Sequence, residues 1–350
     1  MSGANASPIG RSHQAMKIVG IGGGTGLPVL LKGLRELADV GEGPFDITAI
    51  VTVADSGGST GFLRDAFDIP AMGDIRKCMM ALAPQESLLT SVCAYRFDNP
   101  QSFAGHSLGN LIISALYQIS GDFSAAIGHA CELLDLEGRV LPATDVPVTL
   151  CALYDDGSIV RGESKIPRAG HRIQRVWFDV QNPPAAPGVF DALRNADAII
   201  LGPGSLYTSI IPNLLVPAVV DGIQASSAIK IYVNNLMTQV GETDDYSAAD
   251  HVQSLLEYLP ALDVCVLNSS TIGTGVAERY LKSGSQIVSG TAEDEDRIRR
   301  RGVLPVPAPL LKDGEIKARH DAATLARLAV SLARGFAGAQ EIICKEVHGR

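Results

Sequence analysis

The stretch K-I-V-G-I-G-G-G-T-G, which runs from Lys17 to Gly26, decides the fold. Its short apolar run ends in glycines, and from Leu27 to Leu37 apolar residues recur at helical spacing around Pro28. This order predicts a strand, a glycine-rich turn and a helix. Glycines allow the backbone to approach a ligand closely, and the N–H groups at a helix N-terminus favour an anion. We therefore predict a nucleotide or phosphate site.

This turn matches neither of the stricter phosphate-binding fingerprints. The dinucleotide pattern G-x-G-x-x-G fails from Gly20, because Thr25 stands at its last position, and from Gly22, because Leu27 does. The P-loop requires Lys after its last glycine, whereas Leu27 follows Gly26. A tight turn that binds nothing would not need three consecutive glycines, which lose much conformational entropy on folding. The pattern predicts a phosphate-binding turn without specifying a cofactor.

Composition narrows the class of protein. The chain has 350 residues, enough for a large α/β core, and its net charge of -9 argues against a nucleic-acid partner. No apolar stretch reaches the length of a membrane span. Residues 1–15 are small and polar, which predicts a flexible leader and not a signal peptide. The six scattered cysteines include no C-x-x-C pair, so we expect a reduced, cytoplasmic protein.

Five runs rich in Val and Ile predict strands that are covered on both faces of a parallel sheet: 18–21, 47–54, 198–201, 229–234 and 264–268. Around 140–185 the pattern changes to a hairpin with an Asp156-Gly157 turn. We predict an α/β, Rossmann-like fold: a mostly parallel sheet with helices on both faces and a small inserted antiparallel β subdomain. The expected organisation is a leader at 1–15, one domain at 16–335 with the insert at 140–185, and a C-terminal tail at 336–350.

Ligands of such sheets bind beyond the carboxyl ends of the strands, so the loops there are the candidate sites. The loop after the second strand contains Asp55, which could accept ribose hydroxyls, hold a divalent cation, or only form an Asx turn. Its neighbours Gly57, Gly58 and Ser59 offer N–H and hydroxyl groups to phosphates. This loop is a second candidate phosphate contact.

Two further loops are more ambiguous. Asp74 and Arg76 are either a carboxylate and a phosphate clamp in one cleft, or a helix cap and a surface charge. The string G-H-S-L-G from Gly105 matches the nucleophile elbow of α/β-hydrolases, but that elbow requires a buried strand before the serine, and here a loop composition precedes it. We therefore do not interpret this string as a hydrolase active site. His106 and Asn110 remain candidate ligand contacts at the start of a helix.

The loops after the predicted strands at 198–201 and 229–234 complete the set. L-G-P-G-S-L-Y-T-S, from Leu201, predicts a second anion-binding turn with Gly202, Gly204 and Ser205 as its contacts. N-L-M-T-Q supplies side chains that suit a base or a sugar, with loop capping as the alternative: Asn235, Met237, Thr238 and Gln239. Two anion turns and several polar loops at one edge of one sheet favour a function over a purely structural role.

Together these strings closely resemble the gluconeogenesis-factor (YvcK-like) family, within the superfamily of the 2-phospho-lactate transferases (CofD-like). The resemblance runs from about Lys17 to Leu328 and rests on G-G-G-T-G, V-A-D-S-G-G-S, G-D-I-R, G-H-S-L-G-N, G-P-G-S-L-Y-T-S and N-L-M-T-Q, in that order. It implies a cytoplasmic bacterial protein linked to gluconeogenic growth, cell shape and cell-wall precursor metabolism. It also implies a UDP-sugar ligand, notably UDP-N-acetylglucosamine.

On this resemblance the expected function is regulatory binding without a required cofactor. Asp55 would contact the ribose, and Asn235, Thr238 and Gln239 the base or sugar. The contacts expected for the diphosphate are Gly22, Gly23, Gly24, Thr25, Gly26, Gly204, Ser205 and Arg319. A regulatory protein partner and a homo-oligomer are also expected.

The alternative is a Mg²⁺-dependent transferase that moves a phospho-lactyl-type group from a nucleotide diphosphate, with Asp55 and Asp74 around the ion. No firm metal site is predicted otherwise. Ser56 stands where the family usually has a second Asp, and Lys77 where Asn is common, which argues against the metal. The low aromatic content, 5%, argues against a slot for a tricyclic acceptor. A nicotinamide-nucleotide binder is disfavoured by the broken fingerprint.

Overall fold

The computed structural model describes residues 14–84, 87–98, 105–312 and 317–348. The expected leader lies outside the described residues except for positions 14 and 15. The expected tail after residue 335 continues the last helix, Ala322–His348.

The centre of the molecule is a seven-stranded sheet in which every neighbouring pair of strands is parallel. Its order is β10-β9-β8-β7-β1-β2-β3. The strands are β1 Met16–Gly22, β2 Phe45–Val51, β3 Arg139–Pro142, β7 Ala198–Leu201, β8 Ile229–Val233, β9 Val264–Asn268 and β10 Leu304–Ala308. The predicted fold class is confirmed by this sheet together with the small antiparallel sheet described below.

The strands are buried along most of their length because helices cover the sheet. Ile18 lies opposite Ile47 of β2 and Ala198 of β7, and all three side chains are buried. The helices are α1 Leu27–Asp39, α2 Gly58–Phe67, α3 Gly73–Leu82, α4 Leu88–Ala94, α5 Leu108–Ser120, α6 Phe123–Leu133, α7 Val189–Arg194, α8 Ile211–Leu214, α9 Pro217–Gln224, α10 Ala248–Leu256, α11 Thr274–Lys282, α12 Ala292–Arg300 and α13 Ala322–His348.

β1 and β7 are adjacent in the sheet, but the chain continues from each of them toward an opposite edge of the sheet. The chain passes from β1 through α1 to β2 on one side, whereas β7 is followed by β8 on the other. A five-residue π-helical turn, Leu206–Ile210, leads from β7 into α8. At such a reversal of strand order a crevice opens between the loops, which is where ligands of doubly wound sheets bind.

The antiparallel sheet consists of three strands in the order β5-β4-β6: β4 Leu150–Tyr154, β5 Ile159–Arg161 and β6 Ile173–Phe178. The predicted Asp156-Gly157 turn joins β4 to β5. Arg139–Pro142 pairs with β2 in the main sheet, so the antiparallel strands begin at Leu150, later than the expected start of the insert near 140. A short 3₁₀ segment, Glu163–Arg168, follows β5.

Within the described residues, no single helix has the length and apolarity to cross a membrane. The pair Leu206–Leu214 and Pro217–Gln224, bent by 75°, passes the same criterion by length and composition only.

Candidate functional site

The two glycine turns predicted to bind anions lie against each other. Gly26 and Pro203 approach so closely that a Cβ at Gly26 would overlap the Pro203 carbonyl oxygen. Gly24 has φ +63°, a left-handed conformation that side-chain-bearing residues rarely adopt. A Cβ at Gly204 would lie 3.7 Å from the Gly23 carbonyl oxygen. The turns after β1 and β7 therefore form one continuous backbone surface.

The N-terminus of α1 faces the space between these turns. No side chain caps this end of the helix, and Pro28 in its first turn has no N–H to donate. The N–H of Val29 already donates to the Gly26 carbonyl oxygen at 2.9 Å, so this end of α1 attracts an anion chiefly through the helix dipole. An uncapped helix start beside a glycine turn can thus hold a phosphate group.

A cleft of about 750 Å³ opens above the two turns, and we call it the ligand cleft. It joins the carboxyl ends of β1, β7 and β8 to the loops before α12 and α13. Its described lining comprises Gly24, Thr25, Gly26, Val29, Pro203, Gly204, Ser205, Ser209, Asn235, Leu236, Met237, Thr238, Gln239, Val240, Tyr280, Ser283, Ser285, Ala318, Arg319 and His320. Ten of the residues predicted from sequence are therefore brought together here. Gly22, Gly23 and Gly202 lie behind this lining.

Side-chain amides connect the two halves of the ligand cleft. Gln239 donates from Nε2 to Ser205 Oγ at 2.6 Å, and Asn235 donates from Nδ2 to Gln239 Oε1 at 3.5 Å. Asn235 Oδ1 is buried and accepts no hydrogen bond from any described residue. Thr238 is already engaged, because its Oγ1 accepts the backbone N–H of Gln286 at 2.8 Å. Asn235 thus offers a ligand an acceptor that the protein does not use.

The charge of the ligand cleft is opposite to that of the whole chain. Among its described lining residues there is no Asp or Glu, and Arg319 supplies an exposed guanidinium. Burial lowers the pKa of His320 to about 4, so its imidazole is neutral at physiological pH, and Nε2 lies 3.2 Å from the Asn234 carbonyl oxygen. A chain of net charge -9 therefore keeps carboxylates out of this lining and presents a cation there.

Comparison with known proteins agrees with the motifs and the geometry. The model of the family described as 2-phospho-L-lactate transferase CofD matches residues 18–311, which is most of the chain. This chain belongs to the CofD family.

Its relatives in the CofD family carry the name that the motifs indicated. A gluconeogenesis factor of Bacillus subtilis is 41% identical over 321 residues, which covers 91% of this chain and 98% of the relative. A gluconeogenesis factor of Halalkalibacterium halodurans is 41% identical over 307 residues, covering 87% and 92%. A crystal structure of a protein from Bacillus halodurans superposes with a TM-score of 0.85 at 38% identity, covering 91% and 100%. The resemblance stated from sequence is confirmed.

A group of acidic residues lies directly behind Gly24 in this member of the CofD family. Asp74 Oδ2 accepts the N–H of Gly24 at 2.6 Å, and Asp74 Oδ1 lies 2.8 Å from Lys77 Nζ. Burial, and next the charge of Asp74, raise the pKa of Asp55, whose Oδ1 accepts the Gly57 N–H at 2.8 Å. Burial, then Asp55 and Asp74, raise the pKa of Glu163 to about 7. We call Asp55, Asp74, Glu163 and Lys77 the acidic cluster.

The geometry of the acidic cluster gives no positive support to the Mg²⁺ ion that the transferase alternative requires. Asp55, Asp74 and Glu163 do not bring three carboxylate oxygens within 4.8 Å of one another. Both oxygens of Asp74 are already engaged by Gly24 and Lys77. Within the described chain, the one trio that meets this ligand spacing is exposed and lies outside the ligand cleft: Asp155, Asp156 and His171. No step through a metal ion follows from this arrangement.

The remaining predicted residues form a third group, the serine–histidine cluster, outside the ligand cleft. Ser59 Oγ lies 3.0 Å from His106 Nδ1, and Asn110 Nδ2 lies 3.5 Å from the same hydroxyl. The buried Arg76 donates from Nε to Asn110 Oδ1 at 3.0 Å, and burial, followed by the charge of Arg96, lowers its pKa. These contacts hold α2, α3 and α5 together.

The structure also locates two further motifs from the sequence analysis, one at the start of α2 and one at the start of α5. Gly57 and Gly58 form the start of α2 and do not line the ligand cleft. Ser107 of the G-x-S-x-G string is fully buried, and its Oγ accepts the N–H of Asn110 as the N-cap of α5. It is a capping residue and not an exposed nucleophile.

Several cleft residues were not expected from sequence. Tyr280, Ser283 and Ser285 come from the segment around the end of α11. Glu163, which belongs to the acidic cluster and does not line the ligand cleft, comes from the antiparallel insert and was not expected either. No local motif marks these positions. Ser209 could have been found, because it ends the G-P-G-S-L-Y-T-S string. His320 could also have been found, because it follows Arg319.

Proposed function

We propose that this protein binds a UDP-sugar of the UDP-N-acetylglucosamine type in the ligand cleft and acts as a regulatory protein. The observation that carries the proposal is the carboxylate-free lining around an uncapped helix N-terminus in an acidic chain. Such a site selects an anion, and its volume of about 750 Å³ lies in the range of small-molecule pockets. The choice of a UDP-sugar comes from the resemblance to the gluconeogenesis-factor family.

Each part of such a ligand has a chemically suitable partner. The diphosphate fits the turn Gly24–Gly26 and Ser205, with Arg319 at the exposed side, because guanidinium groups pair well with phosphate oxygens. The base or the sugar fits Asn235, whose Oδ1 would accept an N–H or O–H from the ligand. Asp55 does not line the ligand cleft, so the ribose contact expected for it is not part of the proposal.

The proposed role is control of gluconeogenic growth, cell shape and cell-wall precursor supply from the cytoplasm, through contact with a protein partner that depends on the bound ligand. Homo-oligomerisation belongs to the same proposal. These roles follow from the family resemblance.

The second candidate is transfer of a phospho-lactyl-type group, which the description of the matching family model favours. Two observations weigh against it. The acidic cluster does not offer three ligand groups at metal-ligand spacing, and Tyr280 is the one Phe, Tyr or Trp among the described residues that line the ligand cleft. A tricyclic acceptor would find little aromatic surface there.

Calorimetric titration with UDP-N-acetylglucosamine, UDP-glucose, GDP and NAD, each with and without Mg²⁺, tests the proposal. We expect the UDP-sugars to bind most tightly and Mg²⁺ to make no difference. Arg319→Ala should weaken UDP-sugar binding roughly tenfold or more, because it removes charge-assisted hydrogen bonds. Arg194→Ala, which removes an exposed arginine outside the ligand cleft, is the matched control. A preference for GDP that requires Mg²⁺ would favour the transferase instead.

A further inference from the structure

A second cleft lies between α10 and α12 and shares no lining residue with the ligand cleft. Its volume is about 250 Å³, and we call it the arginine cleft. Its described lining contains neither Asp nor Glu, although the chain has a net charge of -9. The lining residues are Ala249, Gln253, Arg297, Arg300 and Arg301.

Hydrogen bonds between the two helices hold the walls of the arginine cleft in place. Arg297 of α12 donates from Nη2 to Asp250 Oδ1 at 2.6 Å and from Nη1 to Ser247 Oγ at 3.2 Å. In the opposite direction, the N–H of Ala249 on α10 donates to Oδ1 of the buried Asp294 at 3.2 Å. The cleft is therefore formed before a ligand arrives, and binding does not have to order its walls.

Two arginines of α12 are neutralised by carboxylates of the chain. Arg297 pairs with Asp250, as described above. Arg299, which does not line the arginine cleft, has Nη2 2.7 Å from Glu295 Oε2 and Nη1 3.3 Å from Asp296 Oδ1. The positive charge of these two residues is thus used within the fold.

The other two arginines face the arginine cleft without a carboxylate. Arg301 donates from Nη2 to Oε1 of Gln253 at 3.0 Å, which is a neutral partner. The guanidinium group of Arg300 makes no hydrogen bond or ion pair with any described residue. Both side chains are exposed at the mouth of the cleft. The cleft therefore presents two unneutralised cations on a rigid frame.

This charge and size suit a phosphate group. A phosphate monoester carries a charge of about -1.5 to -2 at pH 7 and three acceptor oxygens, and each guanidinium group can engage two oxygens at once. A carboxylate has one charge and would leave one arginine unpaired. The cleft is smaller than the roughly 300–1,000 Å³ of pockets that enclose a whole small molecule, so it takes one anionic group while the rest of the ligand stays outside.

We propose that the arginine cleft is a second anion site, which binds the phosphate group of a phosphate monoester between Arg300 and Arg301. Gln253 adds a neutral donor, its Nε2, and Arg297 holds the wall. A small phosphorylated metabolite and a phosphorylated side chain of a protein partner offer the same group. The proposal does not depend on the ligand of the other cleft.

Protection of arginines from phenylglyoxal, read by peptide mass spectrometry on wild type, locates the anion. Glycerol 3-phosphate is the probe. At roughly ten times its Kd it should slow modification of Arg300 and Arg301 roughly tenfold, because the unoccupied fraction falls as 1 + [L]/Kd. Arg299, exposed on the same helix, is the internal control and should react unchanged. Absence of protection at Arg300 and Arg301, or equal protection by acetate at the same ionic strength, overturns the proposal.

Calorimetry on variants measures what the two cations contribute. Arg300→Gln/Arg301→Gln should weaken glycerol 3-phosphate binding roughly tenfold or more, because it removes charge-assisted hydrogen bonds. Arg299→Gln is the matched control and should bind as wild type. Arg319→Ala changes the ligand cleft and should also retain glycerol 3-phosphate. If Arg319→Ala abolishes this binding and the double variant does not, the anion sits in the ligand cleft and the proposal is overturned.

A short phosphoserine peptide, with its unphosphorylated form as control, separates the two sources of the phosphate group. Binding tighter than that of glycerol 3-phosphate, lost in Arg300→Gln/Arg301→Gln, supports the site and assigns the group to a protein partner. Weaker binding of the peptide supports a metabolite. The double variant should keep full affinity for UDP-N-acetylglucosamine, so failure at the arginine cleft and failure of the proposed function are distinguishable.

Discussion

The ligand cleft and the acidic cluster meet at Gly24 and have opposite chemistry. The described lining of the cleft has no Asp or Glu, whereas the cluster has three carboxylates. The Gly24 residue lines the cleft, yet its N–H points to Asp74. The acidic loops that sequence reasoning assigned to the ligand therefore support the turn from behind, and the residues that face the cleft are neutral or cationic. Both regions lie at the edge of the sheet, but only one of them lines the ligand cleft.

The largest expected effect comes from the backbone surface that separates the two regions. Gly26→Ala would place a methyl group on the Pro203 carbonyl oxygen, with both turns fixed by buried strands. We expect it to abolish ligand binding and to lower the free energy of unfolding by about 3 kcal/mol or more. Calorimetry and urea unfolding measure the two effects.

Gly128→Ala is the matched control for this change, because a Cβ there meets no atom within 4 Å and the residue lies inside α6. It should be stabilising by roughly 0.5–1 kcal/mol. Equal behaviour of the two variants would show that the contact between the turns is not essential.

A pH experiment tests whether burial raises the pKa of Glu242, a carboxylate that does not line the ligand cleft. Glu242 lies behind the cleft wall and accepts a hydrogen bond from Thr208 Oγ1 at 3.0 Å. Burial, and the charge of Glu163, raise its pKa to about 7 from the ordinary 4.5. Between these two values the folded protein holds a proton that the unfolded chain has lost, so the free energy of unfolding falls as the pH rises through this window.

Glu242→Gln removes this titration and should stabilise the protein by roughly 1–3 kcal/mol at pH 8, with the difference vanishing below pH 4.5. Urea unfolding at several pH values measures it. Glu36→Gln, at a partly exposed position on α1, is the control for the Glu-to-Gln change itself. A constant difference between Glu242→Gln and wild type at all pH values would contradict the expectation.

A smaller effect is expected from the unused acceptor in the ligand cleft. Asn235→Ala should weaken UDP-sugar binding by roughly fivefold to tenfold, since it removes one neutral hydrogen bond of about 1 kcal/mol. Asn195→Ala changes an exposed asparagine after α7 and should leave affinity unchanged. Calorimetry that finds full affinity in folded Asn235→Ala would place the base and the sugar elsewhere.

The smallest effect should come from the serine–histidine cluster. His106→Ala removes the partner of Ser59 but no residue that lines the ligand cleft, so UDP-sugar affinity should remain within about twofold. A loss of affinity comparable to that of Arg319→Ala would extend the site to this cluster and restore the contact expected from sequence.

Much of the fold followed from local pattern. Apolar runs of Val and Ile marked five strands of the main sheet, and the Asp-Gly turn marked the hairpin. Two strands of the main sheet, β3 and β10, escaped detection. The first is only four residues long, and the second contains Pro305 and Pro307, which are tolerated because β10 lies at the edge of the sheet.

The candidate site divides in a similar way. Parts of both glycine turns, Ser205, the N-L-M-T-Q string and Arg319 were predicted and line the ligand cleft, whereas Gly22, Gly23 and Gly202 were predicted and lie behind it. Asp55, Asp74, Arg76, His106 and Asn110 were predicted on the same grounds and do not line it. Local sequence cannot separate the two groups, because every one of them follows a strand or begins a helix.

The sequence by itself determined the strand–turn–helix units and the glycine turns, because backbone freedom and apolar spacing are local properties. Only the tertiary structure decided which loops meet, since this depends on the placement of β7 beside β1, far away along the chain. It also decided that the Asp74 carboxylate accepts the Gly24 N–H and pairs with Lys77. A carboxylate's partners are fixed by packing across the sheet edge, and no spacing within the sequence encodes them.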